Sequence, residues 1–354
     1  MKYVVVKEYF VKLNHHHSFS EKMSSSSDAN IITLLNNTTN QLNRYLAISI
    51  FLFGIIGNAL NTLVLSQRAL RLNPCSWLFL VSSIAYSISI ISGLVPRFLS
   101  SWNADLTNTN PLLCKLRIFI FFNSLTIAFW LIMLATIDRW LSSSINANHR
   151  QKSTLKNAQH GMICIMIVST MIQIQQLVCF EANLTNAPIK CYTKTVACSI
   201  LSDMTFALIT VLIPLLVMFI LGLMIISNVR QTQARLRPMN MAIDSNDGQH
   251  TTTVVFGRQK KTDRQLLKML FVQILVILAL TFPLALSKLY TTFTRNTYKS
   301  PLRNTIENFI FNLLLNLVNA ASGMPFYIYT LTGGSIFRKA LFDLVKSLRE
   351  KMRW

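Results

Sequence analysis

Apolar positions in this chain come in long, nearly unbroken runs, rather than on one face of a soluble helix or on alternate residues of a strand. Seven runs reach or approach the roughly 20 residues that carry a helix across the hydrocarbon core of a bilayer. They lie at about 45–66, 75–98, 114–141, 160–180, 204–228, 266–290 and 306–330. The pattern predicts an all-α membrane protein built as a seven-transmembrane helix bundle. The fourth run is the weakest, because Gln173, Gln175 and Gln176 interrupt it, and the third is long enough to tilt or to project from the bilayer. After Gly333-Gly334, the segment SIFRKALFDLVKSLREKMRW places Ile336, Phe337, Ala340, Leu341, Leu344, Val345 and Leu348 on one face. Arg338, Lys339, Lys346 and Arg349 tend toward the other, the pattern of an amphipathic helix at a membrane interface. Three parts result: a polar N-terminal tail over 1–44, the seven-helix domain over 45–330, and an interfacial helix and tail over 331–354.

Composition agrees with a membrane protein. The chain is 52% hydrophobic and 13% charged, where soluble proteins carry roughly a quarter charged residues. In a soluble protein a net charge of +21 would suggest nucleic acid; here it is read as topology, with the lipid bilayer as partner and no nucleic acid. Lys and Arg concentrate in the connections after spans one, three and five and in the C-terminal segment, which puts the C-terminus in the cytoplasm and the N-terminus outside. The glycan acceptor patterns at Asn36, Asn37 and Asn183 all fall on the external side. The long connection at about 229–265 has basic ends around SNDGQHTTT and reads as a flexible cytoplasmic loop that serves either as a lipid anchor or for partner docking. Lys7 and Glu8 break the N-terminal apolar run, so the first span is expected to act as signal and anchor. His15, His16 and His17 lie in a Ser-rich tail with no second ligand cluster, which favours disorder over a metal site.

No G-x-S-x-G elbow, no His-Glu-x-x-His helix and no membrane-embedded pair of acids points to catalysis, and the six cysteines lack zinc spacing. An enzyme is not expected, nor is a cofactor or a metal. A transporter or channel stays as an alternative, although no inverted repeat is evident and ionisable residues within the spans are few. The third span ends in LATIDRWLSSS, where Asp138 and Arg139 follow a long apolar run. Such a pair is either an interfacial ion pair worth about 0–1 kcal/mol or part of a switch.

Several spacings add up. Asp138-Arg139-Trp140 closes span three, Cys114 lies 24 residues before Asp138, Gly57-Asn58 sits in span one, and Pro214 and Pro283 sit in spans five and six. Over about residues 40–350 this resembles a rhodopsin-like (class A) G-protein-coupled receptor, as a divergent member similar to invertebrate peptide receptors. The resemblance implies that Cys114 pairs with Cys191, while Cys179 and Cys198 either form a second bridge or leave one thiol free. It also implies that Arg139, bonded to Asp138 and Asp263, holds spans three and six together until a ligand favours their parting, which uncovers a cavity for a heterotrimeric G protein. The chain departs from the family at Tyr86, where an Asp binds sodium, at Thr281, where Trp is usual, at Gly222, where Tyr is usual, and around Pro325, where neither Asn nor Tyr is in register.

Phe121 occupies the place where amine receptors carry an Asp, and span seven has no Lys near its middle for a retinal Schiff base. With family placement, Arg97 and Lys288 either attract an acidic group or peptide carboxylate into the pocket, or snorkel to lipid headgroups. The function expected is a plasma-membrane receptor for an extracellular ligand, with a peptide first, a small acidic molecule or lipid second and a chemosensory cue third. The alternatives are a seven-span transporter or channel and a receptor-like protein with weakened signalling.

Overall fold

The computed structural model describes residues 27–100, 102, 104–184, 190–243, 250–294, 297–332 and 334–351. The histidine tract 15–17 lies outside them. Six helices are long and apolar enough to cross a bilayer: α1 (Ser27–Leu65), α2 (Pro74–Ser100), α3 (Pro111–Ser143), α4 (Leu155–Cys179), α5 (Val196–Gln231) and α6 (Lys268–Phe293). A seventh crossing is the bent pair α7 (Pro301–Gly323) and α8 (Pro325–Thr332), which meet at 49°. A final helix, α9 (Gly334–Lys351), follows.

The bundle is apolar on both sides of its helices. Phe79, Tyr86, Leu125, Phe129, Ile132 and Met218 are fully buried between helices. Rows at helical spacing point outward instead, such as Ile84, Ile88 and Ile91 on α2, or Leu216, Phe219, Ile220 and Leu223 on α5. An outer surface this apolar is stable only against lipid.

Three local features differ from the sequence expectation. First, α1 is already helical at Ser27, the first described residue and well before the apolar run, because polar residues can continue a helix once it leaves hydrocarbon. Second, the seventh span breaks at Met324 instead of running straight over 306–330. Pro325 has no N–H to donate to the preceding turn, and Asn58 Nδ2 donates to the Ser322 carbonyl at 3.0 Å across from α1. Third, Val345 is 54% exposed and so leaves the buried edge of α9. That edge consists of Phe337, Ala340, Leu341 and Leu344 packed on the bundle core, with Gln67 Nε2 donating to the Ala340 carbonyl at 2.8 Å. The side chains of Ile336 and Leu348 lie outside the described residues.

The glutamines that weaken the fourth apolar run explain why it is still a span. Gln173 is fully buried, and its Nε2 donates to Thr126 Oγ1 on α3 at 2.8 Å. Gln176 Nε2 donates to Gln173 Oε1 at 3.2 Å, Ser202 Oγ on α5 donates to Gln176 Oε1 at 3.2 Å, and Gln175 Nε2 donates to Thr205 Oγ1 at 2.7 Å. The polar groups therefore face neighbouring helices rather than lipid and bond α4 to α3 and α5.

Pro214 acts through its missing N–H as well. The preceding segment Thr205–Leu212 is a π-helix, in which residue 214 would bond the carbonyl of residue 209. Pro214 cannot, and Trp130 Nε1 on α3 donates to the Ile209 carbonyl at 3.0 Å. Pro283 lies inside α6.

Candidate functional site: a clamped cleft and a buried ion pair

At one end of the bundle a short hairpin, β1 (Phe180–Glu181) and β2 (Tyr192–Thr193), pairs antiparallel with Phe180 opposite Thr193. Two disulfides hold it. Cys114 in the first turn of α3 bonds Cys191, just before β2, with Cα atoms 5.8 Å apart. Cys179, the last residue of α4, bonds Cys198 in the first turn of α5, with Cα atoms 5.1 Å apart. The second bridge resolves the pairing that spacing left open. Lys115 Nζ and Glu181 add an ion pair at 3.1 Å.

Beneath this hairpin lies an open cleft, with about 680 Å³ of non-protein space when its mouth is counted. Phe180 and Tyr192 of the hairpin, Phe121 and Phe122 of α3, Phe206 of α5, Leu284 of α6 and Phe311 of α7 form apolar walls. Gly93 makes room at the deep end: a Cβ there would stand 2.8 Å from the Phe121 ring and 2.9 Å from Asn319 Oδ1. Arg97, Arg117 and Lys288 bring three cations to the lining.

These cations have different partners. Lys288 Nζ is 2.7 Å from Asp203 Oδ1, with both side chains nearly buried, and it sits over the Phe311 ring at 5.0 Å. Arg117 Nη1 donates to Thr107 Oγ1 at 2.8 Å and lies 3.7 Å from Asp105 Oδ2. Arg97 Nη1 donates to the amide oxygens of Asn43 at 3.2 Å and Asn312 at 3.3 Å. Both Arg97 and Lys288 thus reach the cleft rather than turning out to lipid headgroups.

At the opposite end of α3, Asp138 and Arg139 are only 6% and 4% exposed, so they do not form a surface ion pair. Arg139 Nη2 donates to Asp138 Oδ2 at 3.1 Å and to Asn73 Oδ1 at 2.8 Å. Asn73 also accepts from the Cys75 backbone N–H at 3.1 Å, so the N-terminus of α2 is bound to the pair. Ser153 Oγ, in the α3–α4 connection, donates to Asp138 Oδ1 at 2.6 Å. Trp140 packs against His149 of the same connection, with ring centroids 5.5 Å apart and planes tilted by 45°. Asp263 is helical, but its side chain lies outside the described residues.

Sequence reasoning missed Asp203, because it falls one residue before the fifth apolar run, and it missed Asn73 and Ser153, which look like ordinary loop polar residues. Tyr329 was also missed as a structural element. It is fully buried, its hydroxyl donates to Gln273 Oε1 on α6, and its ring meets Phe79 and Phe337 at 5.0 and 6.0 Å. The α7–α8 break brings it there, although it stands one position beyond the family's usual Tyr. Replacing Tyr329 by Phe leaves the buried Gln273 acceptor without its donor and is expected to cost about 1–3 kcal/mol. Thermal unfolding of the purified protein checks this, and adding Gln273→Leu should recover most of the loss, since both polar partners are then gone.

No curated protein matches the chain. Residues 57–324 match the family model described as 7 transmembrane receptor (rhodopsin family). The matched segment runs from Gly57 in α1 to the break at Met324 and takes in both the clamped cleft and the buried pair. The chain belongs to the rhodopsin family of seven-transmembrane receptors and is a multi-pass G-protein-coupled receptor.

Proposed function

We propose that the protein is a plasma-membrane receptor that converts binding of an extracellular peptide in the clamped cleft into activation of a heterotrimeric G protein. The supporting observation is the pairing, within one bundle, of a cleft under a doubly bridged hairpin with a buried Asp138–Arg139 pair at the far end of the same helix. In this reading the N-terminus and the hairpin face outward and the C-terminus faces the cytoplasm, in line with the distribution of Lys and Arg. The open mouth of the cleft and its mixed charge suit a chain-like ligand.

Arg139 is the latch, with Asp138 holding its guanidinium and Asp263 on the α6 side completing the closed state. Ligand binding favours the state in which α3 and α6 part. Asn36 and Asn37 are the better glycan acceptors, being exposed on the α1 extension. Asn183 is exposed too, but the Nδ2 that a glycan would take donates to the Thr109 carbonyl at 3.0 Å.

The test is nucleotide exchange on a panel of G proteins by the parent chain and by Asp263→Ala. Removing one partner of the latch is expected to raise ligand-independent exchange roughly fivefold or more, given typical coupling energies. A second reading, a receptor that binds without coupling, draws on Met324 and Ile328 at the family's Asn and Tyr positions. No exchange from either chain on any G protein, with folded protein at the cell surface, would decide for it.

A further inference from the structure

The three cations of the cleft are not equivalent, and the difference bears on what the cleft takes. Lys288 is neutralised by Asp203 at 2.7 Å. Arg117 is half compensated: the Oδ1 of Asp105 accepts from the Thr107 N–H and hydroxyl at 2.9 and 2.7 Å, which leaves the more distant Oδ2 for the guanidinium. Among the described residues Arg97 is held by the neutral amides of Asn43 and Asn312 and no carboxylate pairs with it. Arg97 and Arg117 line the same cleft. Two like charges beside low-dielectric walls form a field that an anion relieves.

Helical geometry sets the depth. Arg97 lies one turn above Gly93 on α2, and Arg117 one turn above Phe121 on α3. The backbone positions that carry the two guanidiniums therefore stand about 5 Å nearer the mouth than Gly93 and Phe121, given the pitch of an α-helix. A guanidinium offers paired N–H donors that match a carboxylate, and the floor of Phe121, Phe122 and Phe206 offers only apolar surface.

We infer that the cleft binds a carboxylate carried on an apolar body, with the acid held by Arg97 and Arg117 and the body lying on the aromatic floor. Lys288 stays with Asp203 and forms a wall of the site. This rests on the ligand cleft being the receptor's binding site and specifies what enters it. The same chemistry belongs to the last residue of a peptide with a free C-terminus and to an aryl or alkyl acid.

The experiment uses the full chain in lipid nanodiscs and reads affinity from ligand-dependent thermal shifts. One arm titrates N-acetyl-Phe-Leu-Phe as the free acid and as its C-terminal amide; the other titrates 4-phenylbutyric acid and its amide. At least one acid is expected to bind about 30-fold or more tightly than its amide, the scale for removing one partner of a buried charge pair. That ratio should collapse in Arg97→Gln and in Arg117→Gln and persist in part in Arg97→Lys. The arm that responds names the source, peptide or small acid. Equal binding of acids and amides, no binding by any of the four probes, or an unchanged ratio in a folded Arg97→Gln protein overturns the assignment. Exchange by Asp263→Ala needs no ligand, so a failure of the acid preference with that exchange intact sinks the carboxylate site alone.

Discussion

Changing Cys114 and Cys191 together to Ser is expected to lower thermal stability markedly and to abolish binding at the cleft. The bridge closes a segment of 77 residues, and chain-entropy reasoning assigns a loop of that size about 4 kcal/mol. Helices anchored in a bilayer have less freedom to lose, so the stability loss should fall below that figure. The functional loss has a separate cause. With Cys191 released, β2 is no longer pinned to α3, and Phe180 and Tyr192 lose the placement that roofs the cleft. Cys179–Cys198 still ties α4 to α5, so the fold should survive while the roof does not. Unfolding temperature and probe binding, measured on the double variant, check the two halves; a variant that unfolds like the parent and binds like it would show that the hairpin needs no staple.

The second large effect is expected at Gly323. A Cβ there would come within 2.8 Å of the Gly54 Cα, so α1 and α7 touch backbone to backbone, and no rotamer of a larger residue relieves the clash. Gly323→Val should therefore force the helices apart at a cost of about 2 kcal/mol or more, seen as loss of folded protein and a lower unfolding temperature. Gly222→Ala is the control. Its added Cβ would meet only the Phe271 ring, at 3.6 Å, and exchanging Gly for Ala inside a helix gains up to about 1 kcal/mol of intrinsic propensity. If Gly323→Val were tolerated as well as Gly222→Ala, the close α1–α7 contact would not be a constraint on the bundle. The same contact places Asn58 against the Ser322 carbonyl, so spreading the helices should also expose the broken turn before Pro325.

The seven crossings were legible because bilayer thickness requires length and apolarity, both of which are local properties. The first disulfide was legible from the resemblance, through the positions of Cys114 and Cys191. Asp138 and Arg139 were legible as a motif, but their partners were not. Asn73 and Ser153 reach Asp138 and Arg139 from connections whose polar residues carry no periodic signal. Asp203 was hidden by its position at the edge of an apolar run, where a charge normally marks a membrane interface. The glutamines of α4 weighed against a span by composition and turned out to be the bonds that seat it.

By itself, then, the sequence determined the class of molecule, its number of crossings and the residues at which chemistry concentrates, since each follows from runs, spacings and residue types along one chain. Tertiary structure decided which charges remain uncompensated. Lys288 and Arg97 look alike in sequence, yet one meets a carboxylate from α5 and the other meets two amides from α1 and α7. That distinction depends on distances of a few ångströms between helices far apart in the chain, and electrostatic compensation falls off over that same scale.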